Sequence, residues 1–241
     1  MQSSSSAIPD GAGAAAPAKG TRRLRMAPKL AYRNLFHDRV SLAVTLVGIV
    51  FSVVLLSFQS GLYIGIERTI AAVIDQTKGE LWVVPVGTKS IDDPSFLPGR
   101  ERYSVLSVPG VKNVETIAMS FARWRKRNGG ATTVLVIGSD WTTGGLRPWN
   151  VIDGSVEELA APKAVAVDKT YFKDLDVEGL GDSAEVNGMT VQVGAVTNGV
   201  RAFTTMPYVF TSLGRAQIMI GAQKDQGSYE LVTLEPGADL E

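Results

Sequence analysis

The 241-residue sequence contains no cysteine and a single histidine, His37. The lack of cysteine excludes a disulfide framework, a thiolate zinc site, an iron–sulfur cluster and a cysteine nucleophile. One histidine cannot build a multi-histidine metal site, and His37 lies in a basic segment beside a hydrophobic run, where contact with solvent or lipid headgroups is the simplest interpretation. The sequence also lacks a G-x-x-x-x-G-K-[ST] segment, so nucleotide binding through a P-loop is excluded. We predict no enzymatic activity, no metal site and no cofactor.

Net charge is absent as well, because 24 basic residues balance 24 acidic ones. Nothing in this balance indicates a nucleic-acid partner. The charges are unevenly distributed, however: residues 1–66 contain seven basic and two acidic residues, a net charge of +5, which leaves −5 for the remainder. Such an asymmetry predicts a membrane, or two compartments.

A long uncharged run separates the two halves. The 27 residues between Arg39 and Glu67 carry no charge, and 14 of the 19 residues in Val40–Phe58 are apolar. At about 1.5 Å per residue, those 19 residues would span about 28 Å, close to a bilayer core of about 30 Å. We predict a transmembrane helix over residues 40–66. The alternative is a cleaved signal peptide, but its apolar region is normally about 7 to 15 residues long and begins nearer the N-terminus.

The flanking charges predict the orientation of this helix. Lys19 to Arg39 supply seven positive charges against one negative charge, whereas the charges that follow Ile66 are mixed. Because positive flanks favour the cytoplasmic side, we expect a cytoplasmic N-terminus. Residues after about 66 would then be extracytoplasmic, which in a Gram-negative cell means periplasmic, and the bilayer would be the bacterial inner membrane.

Small and polar residues form a stripe along the predicted helix. The spacings of 4, 3, 4 and 7 place them on one face at about 100° per residue: Ser41, Thr45, Gly48, Ser52 and Gln59. Such a face permits close packing against other membrane helices. The alternative is that the hydroxyl groups merely bond their own helix backbone.

Composition divides the chain into four segments. Residues 1–27 form a disordered basic cytoplasmic tail, and residues 28–39 a juxtamembrane amphipathic helix. The latter is a surface for a cytoplasmic partner, or a basic collar held by anionic lipid headgroups. Residues 40–66 are the transmembrane helix. Residues 67–241 form an extracytoplasmic α+β domain, either a single unit or two subdomains divided near Trp141–Gly154.

Hydrophobic patterns predict the elements of this domain. The predicted strands are Glu80–Val84, Val111–Ser120, Ala131–Ile137, Ala164–Val167, Ala184–Val193 and Glu230–Leu234, and the predicted helices are Arg100–Leu106, Asp168–Leu175 and Ser212–Met219. Asn187-Gly188 is the strongest signal for a hairpin turn.

Three groups of side chains invite a functional interpretation. The acidic pairs Asp92-Asp93 and Glu157-Glu158 lack a second oxygen cluster, so we interpret them as solvated charges. Arg123 to Arg127 form a basic cluster, either a surface for an anionic partner or the polar end of a strand that enters the turn at Asn128. The tryptophans Trp82, Trp141 and Trp149 are core candidates.

Several segments together resemble the start of MacB/FtsX-type ABC transporter permeases. The segment LAYRNLFHDRVSLAVTLVGIVFSVVLLSFQSGL, Leu30–Leu62, has the family's amphipathic lead and first membrane helix. The resemblance continues through GELWVVP (Gly79–Pro85), VPGVKNVE (Val108–Glu115), AVAVDKTYF (Ala164–Phe172) and the final LVTLEPGADLE. The run SFARWRKRNGGATTVLVIGSD, Ser120–Asp140, is closest to the DevC-like branch.

The resemblance implies a membrane-anchored α+β protein with one N-terminal transmembrane helix and a MacB-like periplasmic core domain. It implies a permease subunit of an exporter that forms a dimer and works with a separate cytoplasmic ATPase, a periplasmic adaptor and an outer-membrane channel. Family members have three further membrane helices, so we expect this chain to be the N-terminal part of a longer permease. Arg33, Leu35 and Phe36 would couple to the ATPase. The alternative function is a single-pass anchored module that binds an extracytoplasmic ligand or partner without transport.

Overall fold

The computed structural model describes residue 32, residues 37–202 and residues 204–238, except for the side chain of residue 70. The predicted tail at residues 1–27 and most of the juxtamembrane segment at residues 28–39 lie outside the described residues. The chain divides into two units, Met1–Gly61 and Leu62–Glu241.

Helix α1 comprises Arg39–Asp75, 37 residues in all. Asp38 precedes the helix, and its Oδ1 accepts a hydrogen bond from the backbone N–H of Ser41 at 3.1 Å, as the side chain of an N-cap residue does. Within α1, residues Arg39–Thr69 are long and apolar enough to cross a membrane, and none of that apolar window is buried inside the chain. The predicted apolar helix is therefore present, and it continues beyond residue 66.

The remaining elements lie in the second unit. The strands are β1 Leu81–Val83, β2 Val111–Arg125, β3 Ala131–Ser139, β4 Val151–Gly154, β5 Ala164–Asp168, β6 Ser183–Val186, β7 Met189–Thr197, β8 Tyr208–Ser212 and β9 Tyr229–Leu234. The helices are α2 Arg100–Leu106, α3 Phe172–Leu175 and α4 Leu213–Ile220, with 3₁₀ turns at Glu157–Ala160 and Lys169–Tyr171. One apolar N-terminal helix followed by a mixed α+β domain confirms the predicted fold class.

The nine strands form one mixed sheet in the order β1-β9-β2-β3-β8-β5-β7-β4, and β6 pairs with β2 and β7. The pairs β3/β8 and β5/β7 are parallel, and the other pairs are antiparallel. Strands from before and after Trp141–Gly154 therefore pair directly with each other. Residues 135–139 of β3 pair with the whole of β8, so the sheet continues across that segment.

The β6–β7 hairpin turns at Asn187-Gly188, as the sequence predicts. Both residues have positive φ angles, 46° and 84°, and Val186 pairs with Met189 across the turn. A two-residue turn with two positive φ angles matches the right-handed twist of the strands, which is why Asn-Gly favours it.

Alternating side chains bury both faces of the sheet. On one face, which we call the helix-side cluster, Trp124, Val136 and Val209 are fully buried beneath α4. Gly138 allows this contact, since a Cβ atom there would lie 2.1 Å from the Cβ of Ala216 in α4. The opposite face, the loop-side cluster, is covered mainly by connecting segments. It contains Val73, Ile117, Met119, Ile137, Tyr208, Phe210, Tyr229 and Leu231.

The structure corrects three details of the predicted strands. Strand β2 extends to Arg125 instead of Ser120, because its second half pairs with β3 and β6. Strands β4 and β8 were not predicted at all. Strand β8 is only five residues long and buried at four of them, so it has no alternation to reveal it.

Candidate functional site

The C-terminal end of α1 is anchored in the loop-side cluster. Val73 is 2 % exposed and is the only buried residue among the described side chains of α1. It belongs to the same cluster as Ile117 of β2 and Leu231 of β9. Strand β1 follows almost at once and pairs antiparallel with β9. The helix end and the sheet are therefore joined by packing and by a strand ladder within one unit.

A segment that we call the strap, residues 85–97, crosses this part of the sheet. The hydroxyl of Tyr208 donates a hydrogen bond to Oδ1 of Asp92 at 2.7 Å, and that of Tyr229 donates to the carbonyl of Ile91 at 3.0 Å. At its end, the backbone N–H of Leu97 donates to the carbonyl of Gly227 at 2.8 Å. Two buried phenols thus fix the strap to strands β8 and β9, and one backbone bridge fixes it to Gly227, just before β9.

Burial keeps both phenols protonated. Removal from water raises the pKa of Tyr229 to about 12, and the charges of Asp92 and Asp93 add to the shift. Burial also raises the pKa of Tyr208, and its hydrogen bond to Asp92 acts in the same direction. A phenol that stays protonated remains a hydrogen-bond donor across the physiological pH range.

A cavity of about 500 Å³ lies between the end of α1, β1 and the strap. Its apolar walls include Ile74, Trp82 and Ile91, and its polar groups include Lys89 and Asp92. The ring of Trp82 meets that of Tyr229 edge-on, with centroids 5.9 Å apart. A volume of this size, mainly apolar with a few polar groups, is typical of sites that bind small molecules.

A buried carboxyl group lies on the opposite face of the same strands. Glu230 in β9 is fully buried, and its Oε2 accepts a hydrogen bond from the hydroxyl of Thr116 at 2.8 Å. Its Oε1 has no hydrogen-bond partner among the described residues. Burial raises the pKa of Glu230, although the Thr116 hydrogen bond and the charge of Arg102 oppose this, and the charge of Glu115 adds to it.

The predicted helix-packing stripe lies on α1, and its residues are exposed: Ser41, Thr45, Gly48, Ser52 and Gln59. The hydroxyl of Thr45 donates to the carbonyl of Ser41 at 2.9 Å, and that of Ser52 to the carbonyl of Gly48 at 2.8 Å. Two hydroxyls of the stripe are thus satisfied within their own helix, while the surface of Gly48 is open. The stripe's role in packing stays a prediction.

The predicted ATPase-coupling residues and the basic cluster differ in what the structure shows of them. Arg33, Leu35 and Phe36, the predicted ATPase-coupling residues, lie outside the described residues. The basic cluster at Arg123–Arg127 is the end of β2 and the start of its turn, where the Arg127 guanidinium lies 3.4 Å from Asp182.

The burial of Asp92 contradicts the prediction that Asp92-Asp93 is a pair of solvated charges. Of the acidic pair, Asp93 is exposed as expected, but Asp92 is only 6 % exposed. The reason is its bond to Tyr208, which is 116 residues away in sequence. Sequence reasoning missed the pairing of Asp92 with Tyr208 and the role of Trp82 in the cavity. The only local sign that Asp92 is buried is its position directly after an apolar residue, Ile91.

The helix, the sheet and the cavity define a mixed α+β domain that follows an apolar helix of membrane-spanning length. Residues 42–241 match the model of the MacB-like periplasmic core domain, and the chain belongs to that family. The expected MacB-like periplasmic core domain is thus confirmed.

Solved structures that are similar to the chain include three domains of transporter or permease proteins. The periplasmic region of MacB from Actinobacillus actinomycetemcomitans is 11% identical, with 63% of this chain and 71% of that chain covered and a TM-score of 0.44. The extracellular domain of the noncanonic ABC-type transporter YknZ from Gram-positive bacteria is 17% identical (64% and 81% covered, TM-score 0.44). A domain of a putative permease protein from Porphyromonas gingivalis is 10% identical (55% and 65% covered, TM-score 0.40). No curated protein matches the chain significantly.

Proposed function

We propose that the chain serves as part of the permease subunit of an ABC-type exporter of the DevC-like branch. A separate cytoplasmic ATPase supplies the motion, and the extracytoplasmic domain conveys it to cargo or to an adaptor. The family match over residues 42–241 is the observation that carries this proposal. In this proposal the chain has no catalytic residue and no cofactor, and it acts by mechanical coupling.

The proposed topology has the N-terminus in the cytoplasm, α1 in the bacterial inner membrane and residues after about 66 in the periplasm. Support comes from the seven positive charges between Lys19 and Arg39, which favour retention on the cytoplasmic side. The apolar side chains of α1 offer further support, because exposed apolar surface of this extent needs lipid or partner helices around it.

The proposed path of motion begins with α1. A displacement of its last turns moves Val73, which is packed with Ile117 and Leu231 in the loop-side cluster. Because close-packed interiors transmit strain, strands β2 and β9 follow the helix end. The strap moves with them, since Tyr208 and Tyr229 hold it to the sheet.

The proposal assigns partners to the remaining surfaces. Arg33, Leu35 and Phe36 contact the ATPase, and the stripe on α1 packs against other membrane helices of a permease dimer. The extracytoplasmic domain faces a periplasmic adaptor that leads to an outer-membrane channel. The bilayer surrounds the rest of α1, and no nucleic acid is involved.

The topology can be tested by cysteine labelling of the 241-residue chain, because these residues contain no cysteine and every label on them therefore reports an introduced site. Asp153→Cys lies in an exposed strand, and Ser5→Cys lies in the predicted tail. A membrane-impermeant maleimide should label Asp153→Cys in intact cells with a permeabilised outer membrane, and Ser5→Cys only after lysis. The parent chain is the control for background. Labelling of Ser5→Cys in intact cells would overturn the topology.

The partner can be tested by pull-down of the natural protein, expressed from its own locus and extracted in mild detergent. The proposal requires a P-loop ATPase among the proteins that copurify with it. Alanine at Arg33, Leu35 and Phe36 together should remove the ATPase, whereas alanine at Arg22, Arg23 and Arg25 in the tail should retain it. Correct topology without any copurifying ATPase would favour the anchored binding module instead.

A further inference from the structure

The second unit contains three Asn-Gly pairs, at Asn128-Gly129, Asn187-Gly188 and Asn198-Gly199. Asparagine is a chemically labile residue, and a following glycine has no side chain to hinder attack of its backbone nitrogen on the asparagine side chain. Such an attack requires a side-chain amide and a glycine N–H that are free to approach each other. All six residues are exposed, so exposure alone does not distinguish the pairs.

Asn187 is held at both ends of its side-chain amide. Its Nδ2 donates a hydrogen bond to the carbonyl of Met219 in α4 at 2.8 Å. Its Oδ1 accepts one from the backbone N–H of Arg123 in β2 at 2.9 Å. The side chain cannot turn toward the nitrogen of Gly188 without breaking both bonds, so this pair is protected.

Asn128-Gly129 is restrained within its own turn. The Oδ1 of Asn128 accepts a hydrogen bond from the backbone N–H of Gly130 at 2.9 Å. The N–H of Gly129, which would supply the attacking nitrogen, donates to the carbonyl of Lys126 at 3.1 Å. The electrophile and the nucleophile are both occupied, so a reaction here requires local opening of the turn.

Asn198-Gly199 differs from the other two pairs. Among the described residues, neither the side-chain amide of Asn198 nor the N–H of Gly199 has a hydrogen-bond partner. A Cβ atom at Gly199 would meet no atom within 4 Å, so the space beside this peptide bond is open to water. The backbone N–H of Asn198 donates to the carbonyl of Asn150 at 3.1 Å, a contact that fixes the main chain and leaves the side chain free to rotate.

We propose that Asn198 is a site of spontaneous deamidation in the folded chain, and that the fold protects Asn128 and Asn187. The backbone nitrogen of Gly199 attacks Cγ of Asn198 and forms a C–N bond, which closes a succinimide ring. The side-chain nitrogen leaves as ammonia and takes up the proton that the Gly199 nitrogen loses. Water then adds to one of the two ring carbonyls and opens the ring, which leaves aspartate or isoaspartate at position 198.

The product alters an anchored part of the chain. The buried Asp168 carboxylate accepts hydrogen bonds from the hydroxyl of Thr197 and the backbone N–H of Val200, on either side of the Asn198-Gly199 pair. Isoaspartate carries the main chain through the former side chain, so it adds one methylene group between these two donors. We therefore expect the deamidated domain to unfold at a lower urea concentration than the fresh domain.

The test incubates the full chain in detergent and mildly alkaline buffer made with heavy-oxygen water, which marks each deamidation that occurs during the incubation. Peptide mapping by mass spectrometry then compares the three pairs in one sample. Asn198 should react at least about tenfold faster than Asn128 or Asn187, because these must first lose one or two hydrogen bonds. In urea that unfolds the domain, the difference should largely disappear.

Asn198→Gln provides the control, because its longer side chain would have to close a larger ring. This variant should stay unmodified at position 198 and keep its urea midpoint during the incubation, while the midpoint of the parent falls. A modified parent with an unchanged midpoint would overturn the expected effect on the Asp168 contacts.

Two results would overturn the site itself. One is deamidation of Asn198 in the folded chain that is no faster than that of Asn128 and Asn187. The other is a preference for Asn198 that stays equally large in urea, since the fold would then not be its cause. The reaction requires neither transport nor a partner, so either result would leave the proposed function standing.

Discussion

The candidate span in α1 and the sheet of the second unit contain similar apolar side chains in opposite environments. Val44 and Phe51 in α1 are 68% and 66% exposed, whereas Val136 and Val209 in the sheet are fully buried. A helix satisfies its own backbone hydrogen bonds, so α1 can form without a partner, and its side chains rely on surroundings outside the described chain. The strands satisfy theirs only by pairing with one another, and that pairing brings their side chains into two clusters.

This difference in environment determines which property a mutation in each region changes. In the sheet, a lost apolar group leaves a cavity that the domain itself must accommodate. In the candidate span of α1, Arg39–Thr69, none of the apolar window is buried inside the chain, so the same loss there should leave the domain untouched. Stability of the domain and assembly of the membrane part should therefore respond to separate sets of substitutions.

The largest effect is expected for Trp124→Ala. Trp124 is fully buried in the helix-side cluster, and its indole N–H donates to the carbonyl of Leu175 at 2.9 Å. Its removal should lower the free energy of unfolding by about 3 to 5 kcal/mol. All four tryptophans lie in the second unit, so urea unfolding of the full chain in detergent, followed by the fluorescence of the other three, reports on the domain.

The control for Trp124→Ala is Phe51→Ala in α1, which also removes a large aromatic ring. It should leave the urea midpoint of the domain unchanged, because Phe51 is 66% exposed within the chain. Equal losses in the two variants would show that the span and the domain unfold as one cooperative unit, and the contrast between the regions would fail.

Asp168→Ala should rank second. The Asp168 carboxylate is 1 % exposed and accepts hydrogen bonds from the backbone N–H of Val200 at 2.7 Å and the hydroxyl of Thr197 at 2.9 Å. It also accepts one from the backbone N–H of Thr170 at 2.9 Å. Its loss leaves the buried N–H of Val200 and the buried hydroxyl of Thr197 unpaired and should cost about 2 to 4 kcal/mol.

Asp153→Ala provides the matched comparison, because Asp153 is exposed and accepts only a local bond from the N–H of Gly154 at 3.1 Å. It should shift the free energy of unfolding by less than about 0.5 kcal/mol in the same urea titration. A similar cost at both positions would contradict the view that Asp168 ties β5 to the segment after β7.

The effect of Glu230→Gln on the free energy of unfolding should depend on pH. Burial raises the pKa of Glu230 in the folded chain, so the folded state binds its proton more tightly than the unfolded state does. The stability that Glu230 contributes is complete below its unfolded pKa of about 4.3, and it is lost as pH rises through the folded pKa. Glutamine preserves an acceptor for the Thr116 hydroxyl and does not ionise, so its contribution to stability does not fall as pH rises. The variant should therefore gain stability relative to the parent as pH rises from acid to neutral.

Unfolding titrations at several pH values between about 4 and 8 measure this difference. Glu157→Gln, at an exposed position, provides the control. A Glu230→Gln curve that runs parallel to that of the parent at every pH would show that Glu230 titrates alike in both states. The groups that face Glu230 would then have to be reconsidered, Arg102 from α2 and Glu115 from β2.

Local patterns predicted much of the fold. The apolar run predicts α1, and alternation or buried runs predict β2, β3, β5, β7 and β9, since each such strand shows its burial in its own residues. Strand β4 is too short and exposed to show a pattern. The pairing of Asp92 with Tyr208 could not be predicted, because it depends on a sheet order that joins residues 116 positions apart.

The smallest effect on the domain, and the sharpest test of the stripe, is expected for Gly48→Leu. A Cβ atom at Gly48 meets no atom within 4 Å, so the chain itself tolerates the larger side chain, and the free energy of unfolding of the domain should shift by less than about 0.5 kcal/mol. If the stripe packs against another membrane helix, leucine prevents the close approach that glycine permits. Recovery of the permease complex by pull-down should then fall severalfold, while Val47→Leu, on a different face, should assemble normally. Unimpaired assembly of Gly48→Leu would leave the hydroxyls of the stripe with only the bonds to their own helix, as an anchored module requires.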